Sequence, residues 1–458
     1  MQLPRRAELA AMTRLAFPIV LAHLGLMSMG VVDTLMMGRV SAEALAAVAL
    51  GNLYYVTLTI PATGILMVLD PLVSQAVGAR DAERIALGVQ RGFVLALALS
   101  AAACLALWPV QGMLELLRQP PGLVALATPY VRISILGVLP FFAFVVLRQS
   151  LQALHEVRSL LVVVLVANIV NACLNWVFVY GHLGSPAMGA PGSAWATCIA
   201  RWIMTLLLCA GGWHTLQRAI VPWRAEATRL APLLEMLRLG APIGLQQMLE
   251  MGVFAAIGVL MGVLGTREMA AHQIAINLAS LTFMVPLGVG AAAAVRVGHA
   301  AGAGDADAVR ERARTALYCG VGFMGCTAVL LLAAPRAIAA LYTTDVPVAV
   351  LAATLIPIAG VFQVFDGIQA VCAGVLRGLG DTRAPFLINL AGFWLAGFPV
   401  SIALGFYTPL GALGLWWGLV AGLVVVAALL LLRVRNRLRR AIERTTLESD
   451  VVRLATQL

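Results

Sequence analysis

Polar residues along this chain fall into short clusters, and the intervals between clusters are long and apolar. Each interval holds roughly 20 or more residues, the length an α-helix needs to cross a hydrocarbon core. Twelve intervals stand out, at 12–38, 46–77, 87–110, 123–152, 160–181 and 190–216, then 233–264, 270–302, 311–335, 348–376, 384–407 and 411–434. The pattern predicts an all-α integral membrane protein with twelve transmembrane helices. Several intervals exceed the bilayer minimum, which predicts tilt or protrusion.

The pattern also repeats. Arg14-Leu15-Ala16-Phe17-Pro18-Ile19 matches Arg238-Leu239-Gly240-Ala241-Pro242-Ile243 at an offset of 224 residues. Gly78-Ala79-Arg80-Asp81 matches Gly302-Ala303-Gly304-Asp305 at the same offset, and the segment 151–158 matches 376–383 at 225. A near-constant offset predicts two six-helix bundles. Six is even, so the copies share one orientation and form a parallel repeat about the membrane normal. The expected organisation is an N-terminal lobe at 1–216, a cytoplasmic linker at 217–232, a C-terminal lobe at 233–434 and a basic cytoplasmic tail at 435–458. The stretch 433–444 reads equally well as a basic surface helix or as a simple topology signal.

Composition agrees with the spans: 61% of residues are hydrophobic and 11% are charged. Every basic residue other than histidine is arginine, because the chain has no lysine. That disfavours a Walker A nucleotide site and a Schiff-base cofactor, both of which need one. With the N-terminus inside, twenty-five arginines flank spans on the cytoplasmic side and four lie outside. The positive-inside rule then puts both termini in the cytoplasm. The net charge of +10 is an inner-leaflet feature, with no nucleic-acid partner implied. The seven cysteines sit in apolar segments without a C-x-x-C pair, so they read as small core residues.

Acids in such spans are costly and face a bundle interior or a watery cavity. Glu250 lies mid-span, with Gln246 and Gln247 about one turn before it. Asp366 lies mid-span between Gln363 and Gln369, three residues to either side. If the two acids converge, they can share a proton or hold Na⁺ together with amide oxygens; otherwise each pairs with a distant arginine. Asp33 lies in the outer half of the first span. Asn168, Asn171 and Asn175 form a polar stripe on the fifth, and Thr197 lies on the sixth. This set reads as a second cation or proton site, with interhelical glue as the alternative for the asparagines. Glu250, Asp33 and Asp366 pair with apolar residues in the opposite copy, so each lobe has its own acidic set. His23 and His272 read as packing residues. Asp70, before Pro71, is expected to reach interfacial water. Asp305-Ala306-Asp307 reads as a solvated turn.

The segments VVDTLMMGRVSAEALAAVALGN and GVLRGLGDTR, with the paired turns at Gly78 and Gly302, resemble the multidrug and toxic compound extrusion (MATE) family and its NorM-like branch. The resemblance covers essentially the whole chain. It implies two six-helix bundles in a V, and export of cationic amphipathic compounds against inward Na⁺ or H⁺. It also implies a C-lobe ion site at Glu250 and Asp366, to which Gln246 and Gln363 are added here on spacing. An N-lobe site at Asp33, Asn171, Asn175 and Thr197 follows in the same way. Relatives often carry a tyrosine four residues before the Asp366 equivalent, where this chain has Phe362, which leaves the ion open. The expected protein is a monomeric multi-pass transporter of a bacterial inner membrane, without a cofactor and without enzymatic activity. Two other readings are a lipid-linked oligosaccharide flippase, favoured if Arg132 and Arg201 both line a cavity, and a membrane-embedded enzyme, for which no nucleophile or metal motif exists.

Overall fold

The computed structural model describes residues 5–440 and, beyond them, Arg444, Thr445 and Leu447. Among these, eleven helices are long and apolar enough to cross a membrane, and one bent pair makes a twelfth span. They are α1 (Arg6–Gly38), α2 (Ala42–Gly78), α3 (Ala82–Leu107), α4 (Pro121–Ile135 and Val138–Ala153), α5 (Arg158–Tyr180) and α6 (Ala190–Ile220). Then follow α7 (Leu230–Leu264), α8 (Thr266–Ala303), α9 (Ala306–Ala333), α10 (Val346–Gly378), α11 (Arg383–Phe406) and α12 (Ala412–Arg439). Each corresponds to one interval read from the sequence. Between α6 and α7 only a 3₁₀ turn at Ala225–Thr228 intervenes. The last span continues as helix through Arg439, and the rest of the predicted tail lies largely outside the described residues.

Breaks within spans follow from proline. Proline lacks the N–H that would bond the carbonyl four residues earlier. In α4, Pro140 therefore frees the Leu136 carbonyl, and the Trp202 indole N–H donates to it at 3.3 Å. The two halves of α4 meet at 48°. In α2, Pro71 frees the Met67 carbonyl, which accepts instead from the Asp70 amide at 3.0 Å. That turn carries Asp70 into the interior, where it is 1% exposed. The expectation that Asp70 reaches interfacial water is therefore corrected.

Two of the three repeated sequence segments, 78–81 with 302–305 and 151–158 with 376–383, are chain reversals of one kind. Arg80 and Gly304 both adopt positive φ, of 56° and 76°, and so do His155 and Gly380, at 62° and 74°. In each case the next amide reaches back five residues: Asp81 to Ala76, Asp305 to Ala300, Glu156 to Leu151 and Asp381 to Leu376. These are Schellman-type helix ends. Asp81 and Asp305 then cap the following helices, accepting from the Arg84 and Ala308 amides at 3.0 and 2.9 Å. The repeat continues to the last span: Gly189 and Gly411, both at positive φ, precede α6 and α12.

The chain forms two compact units. Of the described residues, one comprises those up to Val20 with those from Leu245 to Thr445, the other Leu21–Gly244 with Leu447. The division passes through α1 after Val20 and through α7 after Gly244, two residues past Pro18 and Pro242. These positions are equivalent in the repeat. In the first unit, a side chain at Gly288 would collide with Val20. In the second, a Cβ at Gly244 would collide with the Pro61 carbonyl. Such backbone approach is how membrane helices gain packing without a hydrophobic drive between them. In the first unit a buried Arg296 pairs with Glu8. There too, Asp381 accepts from Arg433 at 2.8 Å, tying the turn after α10 to α12.

Candidate functional site

Each unit holds one acidic constellation. In the unit containing Leu21–Gly244, Asp33 projects from α1 and is 8% exposed. Asn171 and Asn175 are fully buried and four residues apart on α5, so they share one face. Asn175 Nδ2 donates to Asp33 Oδ1 at 2.6 Å, and Thr197 Oγ1 of α6 donates to Asp33 Oδ2 at 2.8 Å. Asn171 Nδ2 donates to Thr197 Oγ1 at 3.3 Å, and Asn175 also donates to Asn171 Oδ1 at 3.2 Å. All four residues of the expected N-lobe set are thus in one network. Asn168 is not; its amide donates to the Gly25 carbonyl at 2.9 Å and joins α5 to α1.

This network borders a cavity of about 240 Å³. Arg201 lines the same cavity with Tyr55, Tyr130, Ser134 and Phe141. Its guanidinium lies 4.7 Å from the Tyr55 ring centre and 5.1 Å from that of Phe141, a cation–π arrangement. Arg201 Nη1 also donates to the Tyr55 hydroxyl at 2.5 Å. Arg132, by contrast, is exposed. The two intramembrane arginines therefore do not share this cavity.

In the other unit, Glu250 of α7 accepts from two amides at one oxygen. Gln246 Nε2 donates to Oε1 at 3.0 Å, and Gln369 Nε2 of α10 donates to it at 2.6 Å. Gln369 also reaches Asn389 Oδ1 of α11 at 3.1 Å, and among the described residues its own buried Oε1 has no donor. Just after Asn389, α11 widens into a π-helical segment at Leu390–Gly397. There the Trp394 indole donates to the Leu249 carbonyl at 3.1 Å. Asp366 is 8% exposed and lies within electrostatic range of Glu250. Among the described residues it has no hydrogen bond or ion pair. Gln363, fully buried, accepts from Thr327 of α9 at 3.2 Å, and among the described residues its Nε2 has no partner.

The expected C-lobe set is therefore divided. Gln246 contacts Glu250, whereas Gln363 spends its carbonyl oxygen on Thr327. Gln369, also on the stripe flanking Asp366, makes the contact to Glu250, and Asn389 was missed. Its signal was one amide in the apolar run FLINLAGFW. Phe362 lies in a closed aromatic cluster with Phe254 and Trp416, at 6.0 and 5.9 Å between ring centres. His272 packs on Trp416 at 5.7 Å, in keeping with a packing role.

Buried carboxylates on a bundle of apolar spans define a multi-pass membrane protein of the transporter class, and solved structures share this fold. A eukaryotic MATE transporter, AtDTX14, superposes with a TM-score of 0.86 at 22% identity, covering 96% of this chain and 99% of its own. An outward-facing multidrug resistance MATE transporter of the MOP superfamily gives 0.85 at 19% identity, covering 94% and 96%. The MatE family pattern matches residues 18–177 and 242–403, and the chain belongs to that family. Its curated relatives include the multidrug resistance protein NorM of Burkholderia vietnamiensis, 40% identical over 91% of both chains. Another is the probable multidrug resistance protein NorM of Mesorhizobium japonicum, 37% identical over 95% of both.

Proposed function

We propose that this protein is a secondary active multidrug exporter. It moves cationic amphipathic compounds out of the cell in exchange for inward Na⁺ or H⁺. Family membership and the names of the relatives support the efflux class. The observation that carries the ion coupling is the pair of acids in the Leu245–Thr445 unit, where Asp366 has no partner among the described residues. A buried carboxylate without a counter-charge calls for a cation. Glu250 and Asp366 bind that ion, with Gln246 and Gln369 orienting Glu250. Asp33 with Asn171, Asn175 and Thr197 forms the second ion-responsive site. The protein lies in the bacterial inner membrane and works as a monomer; the arginine distribution supports both termini in the cytoplasm. Ion binding and drug binding favour different states of one equilibrium, which is the requirement for exchange. The flippase reading finds no support in Arg132, which is exposed away from the cavity holding Arg201.

The test is efflux of a cationic dye from vesicles containing the purified protein, with Na⁺ and pH gradients imposed separately. One gradient should drive dye against its own concentration difference. Dye movement indifferent to both gradients would remove the exchange mechanism.

A further inference from the structure

A second cavity, of about 940 Å³, lies in the unit containing Leu245–Thr445, between α9 and α12, with Ile368 of α10 also in its lining. Its two walls carry the same polarity gradient. On α9, Arg310 and Arg314 lie one turn apart near the helix start, and Leu317 and Val321 continue that face. On α12, Leu431 and Leu432 lead into Arg435 and Arg439 near the helix end. One end of the groove is therefore basic and the other apolar. Arg5 completes the basic end.

Among the described residues, the charges do not balance inside the groove. Arg310 pairs with Asp307 at 2.8 Å, and Arg5 approaches Glu311 at 3.5 Å. Among the described residues, no other acid lines the groove. Arg314, Arg435 and Arg439 have no acidic partner among the described residues, and Arg314 Nε is buried without an acceptor. Arg310 also donates to the Leu438 carbonyl at 3.0 Å, so the basic end is braced between the two helices.

We propose that this groove binds one anionic phospholipid of the bilayer, its phosphate on Arg314, Arg435 and Arg439 and an acyl chain along Leu317, Val321 and Leu431. Basic pockets between transmembrane helices recognise such headgroups, and guanidinium groups match phosphate oxygens in geometry as well as charge. A free phosphate would use the arginines and leave the apolar end empty. The long apolar wall therefore points to a lipid.

The experiment uses the full chain in nanodiscs of zwitterionic phosphatidylcholine, with phosphatidylglycerol added in steps, and native mass spectrometry to count retained lipid. The parent protein should retain one phosphatidylglycerol. The triple variant Arg314→Gln/Arg435→Gln/Arg439→Gln should weaken retention by roughly a hundredfold, at a factor of about five per arginine near the headgroup. A variant of equal charge elsewhere, Arg158→Gln/Arg218→Gln/Arg229→Gln, should retain it as the parent does. Val321→Trp, which fills the apolar end and keeps every arginine, should also lose the lipid; it covers the case in which the triple variant does not fold. Glycerol phosphate at millimolar concentration should not displace the lipid. Equal loss in the two triple variants, retention by Val321→Trp, or displacement by glycerol phosphate would each overturn the proposal.

Discussion

The two acidic constellations solve the same problem, a carboxylate within the membrane, in opposite ways. Around Asp33 both carboxylate oxygens receive donors from neighbouring helices, and Arg201 lines the same cavity. In the other unit, among the described residues, only one carboxylate oxygen of Glu250 and Asp366, Glu250 Oε1, receives donors. A closed network of short hydrogen bonds fixes geometry, and its members depend on each other. An open set of acceptor oxygens has capacity left for an ion. The first arrangement suits a latch that responds to charge, the second a binding seat. Losing an acid should therefore act chiefly on ion binding at Glu250 and Asp366, and chiefly on the network at Asp33.

The largest effect is expected at the seat. Glu250→Gln and Asp366→Asn should each lower ion-driven dye export by roughly 5–150-fold, the usual span of a coupling free energy of about 1–3 kcal/mol. Because one ion would use both acids, the double variant should be little worse than the worse single variant. Initial efflux rates at matched expression give the complete cycle. Losses that multiply would mean two independent sites and would erase the contrast with Asp33.

At the latch the expected loss is smaller, and stability should register it too. Asp33→Asn keeps an acceptor for Thr197 or Asn175 but removes the negative charge from the cavity that Arg201 lines. Export should fall about tenfold, within the usual range of coupling effects. The thermal midpoint in detergent should drop by the equivalent of about 1–3 kcal/mol, as for a charged group deprived of its partner. Adding Arg201→Gln should restore much of the midpoint without restoring export. An unchanged midpoint in Asp33→Asn would show that Arg201 is satisfied by Tyr55 and Phe141 alone.

Much of this was legible in the sequence because the bilayer imposes a simple rule. Twelve apolar runs became twelve spans, and the repeated GARD-like and LxxLHE-like segments became left-handed helix ends whose geometry any copy must keep. The last stretch of the repeat was hidden because the offset changes from 225 to 222 before Gly189 and Gly411. Asp33, Asn171, Asn175 and Thr197 were found because polar residues in apolar spans have few reasons to exist. Arg201 was read, together with Arg132, only as a criterion for the flippase, because a charge in a span announces a cavity without saying which one. Asp70 was misjudged because a proline one residue on moved it inward, a tertiary consequence of a local break. Gln363 and Gln369 posed a different difficulty: three residues either side of Asp366, both lie near its helical face, and spacing cannot rank them.

That last ambiguity gives the smallest and sharpest test. Gln369 donates to Glu250 at 2.6 Å and to Asn389 at 3.1 Å, so it orients the acid and joins α10 to α11. Gln363 accepts from Thr327, and its own buried amide nitrogen has no partner among the described residues. Replacing a side chain that already buries an unpaired donor by an apolar one of similar length removes a desolvation cost along with one hydrogen bond. Gln363→Met should therefore change stability by less than about 1 kcal/mol, the size of one net hydrogen bond, and leave export nearly at the parent rate. Gln369→Met strips Glu250 of a donor and should lower export severalfold while leaving the helices assembled. Thermal midpoints and efflux rates of the two variants, measured side by side, separate the roles. Equal damage from both substitutions would mean that Gln363 turns from Thr327 toward Asp366 in another state of the transport cycle. The seat would then comprise both glutamines, and the open character assigned to Asp366 would belong to one state alone.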